Sequence, residues 1–425
     1  MSRPILPVDP LPCVVLSCIG AVEGDMNVVR ALGAVGIPVI LIGEHEAPPA
    51  SLSRHCCEFI RVPDFARMPE RLRDVLETLA QRHGEPLPVI PSADPDLQAM
   101  LTLQEQGATC FVPTWPEAAL TRTLMDKQAF DRLAVAQALP VPLGFAPETL
   151  SEAREASERL RYPAIVKPAT PVAWWHQTAL PASVRRAKAI RVESADELMA
   201  LCAQLLPLRA ATLVQEFVDG PDEEHFDVHA YIDREGRVQA VFGGRKWRIW
   251  PPHAGSGCFV ESLDEPALEA QALEILQRIG FRGIANMNFK RDARDGRFVL
   301  LEINPRVSQW GILTTRCGVN LPWLAWREAC GLSMPPQPLR GQAGRWYVNA
   351  LKDWHAMRQY RAEGLLGPLA WLRSLLHRPM VCQTFSVSDP WPAMKLTARW
   401  IAGKMRSRSR PAPAVTEDAH KTRHR

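Results

Sequence analysis

The stretch IANMNFKRDARDGRFVLLEINPR, residues 284–306, places two strand-forming runs on either side of Asp295-Gly296. Asp-Gly between such runs signals a hairpin, because glycine takes the left-handed backbone that a tight turn needs. A three-residue loop, Arg294-Asp295-Gly296, makes Ala293 pair with Arg297. Counting back from that pair, Asn288 falls opposite Glu302 and Asn286 opposite Asn304. Alternation by two then puts Glu302, Asn304 and Arg306 on one face, with Leu301 and Ile303 on the other. A two-residue loop would turn Asn288 to the wrong face.

A carboxylate, amide oxygens and a guanidinium on one sheet face make poor core material. Hard oxygen donors suit Mg²⁺, which binds through one or two carboxylates together with substrate phosphates, and Mn²⁺ accepts the same donors. Opposed β-carbons lie about 4.5–5.5 Å apart, so one cation fits between Glu302 and Asn288. Arg306 is suited to a bidentate grip on a phosphate or a carboxylate. A solvated polar strand face is the simpler alternative.

Outward from the hairpin, Lys167 ends the apolar run Ala164-Ile165-Val166 and precedes Pro168, so it must reach water or meet an anion. Lys127 opens a helix. The run from Leu213 to Gly220 is a strand entering a turn, whose unpaired backbone is the kind of edge an adenine ring hydrogen-bonds. Glu223, seven residues past Glu216, is spaced for ribose hydroxyls. Taken singly, each of these charges reads as solvated.

Nearer the N-terminus, strand-like runs alternate with helical ones: Cys13 to Cys18, a helix through Met26 to Val35, Pro38 to Ile42, a helix from Met68 to Arg82, and Leu87 to Pro91. This is the rhythm of a parallel sheet with covering helices. Gly20-Ala21-Val22-Glu23-Gly24 lacks the GxGxxG spacing of a dinucleotide site and needs only a tight turn. A second unit begins near Thr121. It reads as a helix from Asp126 to Ala138, a helix across Ser151 to Leu160 with Ser151 as N-cap, and a strand from Ala164 to Lys167. An aperiodic stretch from Pro168 to Lys188 reads as a mobile loop. Strands follow at Thr212 to Val218, Phe226 to Ile232 and Val238 to Phe242, with a helix from Asp264 to Ile279. Past Pro335, Pro336 and Pro338 the chain reads as Trp-rich helix to about Trp400, then as a disordered tail.

At 425 residues the chain divides into several domains. Its 47% apolar and 23% charged content is that of a soluble protein, and no apolar run nears the roughly 20 residues of a spanning helix. The ten cysteines form no CxxC pair, and Cys13, Cys18, Cys110 and Cys202 lie in apolar segments, which fits reduced thiols in the cytoplasm. The net charge of +4 is concentrated in 404–425, where seven Lys/Arg outweigh Glu417 and Asp418. The nearly neutral body argues against a nucleic-acid surface. Trp371, Leu372, Leu375 and Leu376 group beside Arg373 and Arg378, which sets a peripheral membrane contact against a helix packed on the core.

In chain order, Lys127, Val166-Lys167-Pro168, Gln215 to Gly220 with Glu223, Arg245-Lys246, Asn288-Phe289-Lys290 and Glu302-Ile303-Asn304-Pro305-Arg306 resemble the ATP-grasp superfamily. The resemblance is to its carboxylate–amine ligase branch, which includes D-aspartate ligase-like proteins, and covers about residues 11 to 335. It implies an α/β (α+β) fold: a Rossmann-like pre-ATP-grasp domain at 1–120, ATP-grasp subdomains at 121–210 and 211–335, a helical extension at 336–403 and the basic tail at 404–425. It implies ATP with Mg²⁺ or Mn²⁺. Lys127 and Lys167 would hold phosphates, Glu216 and Val218 the adenine edge, Glu223 the ribose, and Arg245 or Lys246 the γ-phosphate. Glu302 and Asn304 would bind metal, and Arg306 would steady the oxyanion or substrate. Asn288 stands where many members carry Asp or Glu. Loops of the first domain usually help bind substrate, and Asp94, after Val89-Ile90, is a candidate there. The implied activity joins a small-molecule carboxylate to an amine through an acyl phosphate, releasing ADP. A regulatory ATP-binding protein without ligase activity is the alternative that Asn288 raises.

Overall fold

The computed structural model describes residues 9–20, 23–169, 173–175, 177–187 and 189–408, with side chains as far as 399. The first apolar runs form strands β1 (Cys13–Ser17), β2 (Val39–Gly43), β3 (Cys56–Arg61), β4 (Leu87–Pro91) and β5 (Phe111–Pro113). They make a parallel sheet of order β3-β2-β1-β4-β5. Every residue of β1, β2 and β4 is buried, because helices cover both faces. Helix α1 (Gly24–Gly33) packs Val28, Val29 and Leu32 on one face, while α2 (Glu70–His83) and α3 (Asp94–Glu105) pack Leu72, Leu76, Leu97 and Met100 on the other. Strand order reverses between β1 and β4. The helices that follow these two strands therefore leave on opposite sides, and their N-termini flank a crevice at the strands' carboxyl ends.

Helices α4 (Ala118–Met125) and α5 (Lys127–Ala136) lead into an antiparallel sheet of β6 (Gly144–Phe145), β7 (Ala164–Pro168), β8 (Ile190–Val192) and β9 (Thr212–Glu216), ordered β6-β9-β7-β8. Helix α6 (Leu150–Arg159) is capped by Thr149, whose hydroxyl accepts from Glu152 N–H, and Ser151 lies inside the helix instead. The stretch expected to be an irregular loop contains a short helix, α7 (Ala182–Arg185), and Trp174, which is fully buried with its indole N–H 3.3 Å from Thr212 Oγ1. Its residues 170–172, 176 and 188 lie outside the described residues, as do 21 and 22 of the first glycine turn. Helix α8 (Ala195–Leu205) backs this sheet with α6.

The third sheet has eight strands among the described residues. Strands β10 (His225–Ile232), β11 (Val238–Trp250), β12 (Ser256–Leu263), β13 (Gly283–Arg291) and β14 (Phe298–Asn304) form its body, ordered β14-β13-β10-β11-β12. The strand expected at Val238 to Phe242 thus runs on to Trp250, and β12 was not anticipated. Helix α9 (Pro266–Arg278) lays Leu268, Ala272, Ile275 and Leu276 against Phe226, Val228, Met287, Phe289, Leu300 and Ile303 of the sheet. Helices α10 (Ile312–Arg316) and α11 (Leu321–Ala329) share a core with α1, so the first and third sheets are joined through apolar contact.

The C-terminal extension is helical, with α12 (Ala350–Ala362), α13 (Pro368–Ser374) and α14 (Trp391–Arg408). It also adds strands that the sequence did not announce. β15 (Leu339–Arg340) pairs with β11, while β16 (Trp346–Val348) and β17 (Met380–Cys382) extend the sheet beyond β12. Helix α14 continues through residues 404–408, expected to be disordered, and 409–425 lie outside the described residues. No residue of α13 is buried, and Leu369 and Leu372 are exposed, while Trp371 donates its indole N–H to the buried Asp353 of α12 at 2.7 Å. Among the described residues no helix is long and apolar enough to cross a membrane.

Candidate active site

The hairpin pairs as expected where it matters: Asn288 lies opposite Glu302 and Asn286 opposite Asn304. Its turn is different. Arg291 pairs with Phe298, Asp292 N–H donates to Arg297 O at 2.9 Å, and Gly296 N–H donates to Asp292 O at 2.7 Å. The loop is therefore Ala293 to Gly296, one residue longer than expected, with Gly296 left-handed at φ 75°. The Asp292 carboxylate holds this turn by accepting from Arg294 N–H and Arg294 Nε. The extra residue is absorbed by a bulge at Leu301, between the Leu300–Phe289 and Glu302–Asn288 pairs. Leu300, rather than Leu301, consequently joins Ile303 in the core.

With that register, His225, Asp227 and His229 of β10, Lys246 of β11, and Asn286, Asn288 and Lys290 of β13 share one face with Glu302 and Asn304. Phe226, Val228, Met287 and Phe289 occupy the opposite, apolar face. Adjacent strand residues face opposite ways, so Arg245 does not join the site. It donates to Glu223 O at 2.7 Å, pairs with Glu224 at 3.0 Å and lies 4.4 Å over the Trp247 ring. Lys246 is the basic group that does join: its Nζ lies 2.7 Å from Asp227 Oδ1 and donates to Asn288 Oδ1.

Burial pushes Asp227 up to about 6 even against the pull of Lys246. Burial and the Lys246 charge bring His229 down to about 3, so it is a neutral imidazole. Its ring packs 4.4 Å from Trp310, which fits across Gly244 because a β-carbon there would come within 2.6 Å of the indole. Asp227 Oδ1 is taken by the Lys246 ammonium, while His229 Nε2 and Asn286 Oδ1 are buried without an aligned hydrogen bond among the described residues.

On the facing small sheet, Lys167 of β7 donates to Gln215 Oε1 of β9 at 3.0 Å. Burial and neighbouring Lys127 bring its ammonium down to about 8, while Glu302 and Asp131 act the other way, so the two lysines and the Glu302 strand lie within one electrostatic reach. Lys127 opens α5, and the Asp126 side chain caps that helix. At the end of β9, Glu216 N–H is taken by Leu143 O and Phe217 N–H by Pro163 O, whereas Val218 N–H makes no hydrogen bond among the described residues. That leaves the Val218 N–H as a free donor just past β9, with Glu216 beside it. Glu223 is half-buried, and its carboxylate likewise makes no hydrogen bond among the described residues.

Glu302 is exposed, and one of its oxygens accepts only the Asn304 amide at 3.2 Å. An exposed carboxylate with a neighbouring amide oxygen is a donor set that fits one hard cation such as Mg²⁺ or Mn²⁺. Arg306, just past β14, forks onto the carboxylate of Asp94 at the start of α3, with one N–O distance of 3.0 Å, and touches Asn304 Oδ1 at 3.3 Å. Burial alone would raise Asp94, but Arg306 outweighs it and holds the carboxyl below its usual range. The Asp94–Arg306 pair borders the crevice between β1 and β4, an open space of about 480 Å³ also lined by Ser17, Gly24, Asp25, Ser92 and Gln309. Asp94, the candidate from the first domain, is thus a direct partner of Arg306. Asp227 and His229 were missed, although polar residues at every second position from His225 to His229 were visible in the sequence.

Residues 210–348 match the family described as ATP-grasp in the biosynthetic pathway with Ter operon. The chain is 23% identical to D-aspartate ligase of Enterococcus faecium over 61% of its own length and 63% of the ligase. It is 28% identical to formate-dependent phosphoribosylglycinamide formyltransferase of Rhodococcus jostii over 70% of each chain. Among solved structures it resembles the ADP complex of N5-carboxyaminoimidazole ribonucleotide synthetase (TM-score 0.58, 16% identity, 79% of this chain and 80% of that one). It also resembles L-amino acid ligase from Bacillus licheniformis (TM-score 0.56, 16% identity, 79% and 78%). The three sheets in this arrangement are the fold shared with these ATP-grasp structures, and residues 210–348 of the chain match an ATP-grasp family.

Proposed function

We propose that this protein is an ATP-dependent carboxylate–amine ligase that works through an acyl phosphate and releases ADP and phosphate. The observation that carries the reading is the convergence of Glu302 and Asn304 with Lys167, Lys246 and Arg306 between a nucleotide cleft and a separate crevice. A carboxylate is a poor electrophile at neutral pH, so joining it to an amine requires an activated carbonyl. In this reading Val218 and Glu216 hold the adenine edge, Glu223 the ribose, and Lys127 and Lys167 the phosphates. Mg²⁺ on Glu302 and Asn304 would supply charge neutralisation at the γ-phosphoryl as it passes to the carboxylate. Lys246 adds a fixed ammonium on the same face. Arg306, oriented by Asp94, faces the crevice where the carboxylate would wait, and it is placed to steady the oxyanion formed when the amine attacks.

The D-aspartate ligase and L-amino acid ligase likenesses support amino acids as the substrate class. A second reading, a regulatory ATP-binding protein, is favoured by the neutral Asn288 on the metal face. ADP release measured over a panel of amino acids and amines separates them. The ligase reading expects turnover that needs both partners, and ATP binding without turnover across the panel would establish the regulatory one.

A further inference from the structure

One row of the polar face crosses three strands: Asp227 of β10 pairs with Asn288 of β13, which pairs with Glu302 of β14. Neighbours in such a row have β-carbons about 4.5–5.5 Å apart, a spacing at which a cation bridges two side chains. Between Asp227 and Asn288 the chain itself provides that cation. Lys246 Nζ is 2.7 Å from Asp227 Oδ1, their side chains are 6% and 2% exposed, and the same ammonium donates to Asn288 Oδ1. The Asn288 oxygen is thus held at short range by an ammonium, whereas the Asn304 oxygen carries only a 3.3 Å contact from Arg306. Among the described residues no ammonium is hydrogen-bonded to Glu302, which is exposed and accepts the Asn304 amide.

Resting on the ATP reading above, we infer that the site takes a single divalent ion, on Glu302 and Asn304, and that Lys246 occupies the place of a second. A second ion would have to displace an ammonium from a buried carboxylate, or sit beside it against like charge, with only a neutral amide as an additional ligand. Either way it gains no carboxylate of its own, and would have to share Glu302 and the phosphates of ATP with the first ion. An ammonium has three donors, so Lys246 keeps capacity for a phosphoryl oxygen while its carboxylate and amide contacts hold it in position. It would thus deliver to the phosphates a fixed positive charge that does not depend on metal concentration.

The test counts Mn²⁺ by the loss of its free paramagnetic resonance signal, on the full chain saturated with a non-hydrolysable ATP analogue. The expected result is one Mn²⁺ per bound analogue. In the variant carrying both Lys246→Met and Asn288→Asp, which removes the ammonium and adds a carboxylate, a second Mn²⁺ should bind. Two ions per wild-type chain would overturn the inference whether or not the variant folds, and so would a folded variant that still takes only one. Failure of the analogue to bind wild type would instead overturn the ATP reading on which the inference rests.

Discussion

Glu302 and Lys167 test different parts of the chemistry. Glu302 is exposed, so Glu302→Gln should leave thermal unfolding unchanged while removing the one carboxylate of the metal donor set. Metal-ion charge stabilisation is worth several kcal/mol, so kcat should fall at least about a hundredfold. Unchanged turnover at saturating Mg²⁺ would remove this face from the mechanism. Lys167 makes a pH prediction whose sign follows from its lowered value of about 8. Below that value the ammonium is charged and can hold a phosphate; above it the folded protein releases a proton that the unfolded chain keeps to about 10.4. The kcat/KM for ATP, which reports the free enzyme, should therefore decline as pH rises through about 8, and Lys167→Met should flatten that limb. The same release relieves the cost of burying the charge, so the stability contributed by this residue increases over the same window. A limb that survives in Lys167→Met would assign it to another group. At the crevice, Asp94→Asn should leave the KM for ATP unchanged and weaken kcat/KM for the carboxylate about tenfold, because Arg306 loses its orienting partner. Equal losses for ATP and carboxylate would mean that the pair only holds the fold.

At the scale of elements, the hairpin shows how much of the site was legible and why the rest was not. Asp-Gly between strand-like runs was enough to place Asn288 opposite Glu302, because alternation by two leaves few registers in which the apolar residues face a core. The turn was misjudged by one residue, and the bulge at Leu301 restored the register, so two errors in the local geometry cancelled at the site. A bulge has no sequence signature of its own. It is set by the competition between a turn fixed by Asp292 and core positions fixed by Leu300 and Ile303. Gly296 gives a clean check on the turn. Nothing lies within 4 Å of where its β-carbon would be, so Gly296→Ala should cost only the left-handed backbone penalty, about 1–2 kcal/mol in chemical denaturation. No loss would mean that the turn relaxes without glycine. Arg245 and Lys246 could not be separated until β11 was seen to continue through both, at which point alternation assigned one to each face. Asp227 was overlooked because a lone acid inside an apolar strand has meaning only beside its neighbours Lys246 and Asn288 on other strands.

Across the whole molecule, the C-terminal extension is fastened to the first sheet rather than appended to it. Arg30 of α1 pairs with Asp389 at 2.9 Å, with side chains 4% and 1% exposed, and donates to the carbonyls of Gln383 and Thr384 at 2.9 Å each. Arg30→Met would leave Asp389 buried with Ser53 and Arg54 N–H as its remaining partners, at a cost of about 3–5 kcal/mol in chemical denaturation. Truncation after Arg408, by contrast, should leave ATP turnover unchanged, since every site residue lies well before it. The crevice depends on the docking of the first and third sheets, because Arg306, just past β14, and Asp94, at the start of α3, meet across it. In the proposed reaction this docked site forms an acyl phosphate. Hydroxylamine traps such species whatever the natural amine. The decisive measurement is therefore ATP- and Mg²⁺-dependent hydroxamate formation over a panel of amino acids, with nucleotide products quantified alongside in wild type and Glu302→Gln. The expected result is hydroxamate with one or more acids, equal amounts of ADP and phosphate, and neither in the variant; AMP with pyrophosphate, or hydroxamate undiminished in Glu302→Gln, would overturn the acyl-phosphate reading.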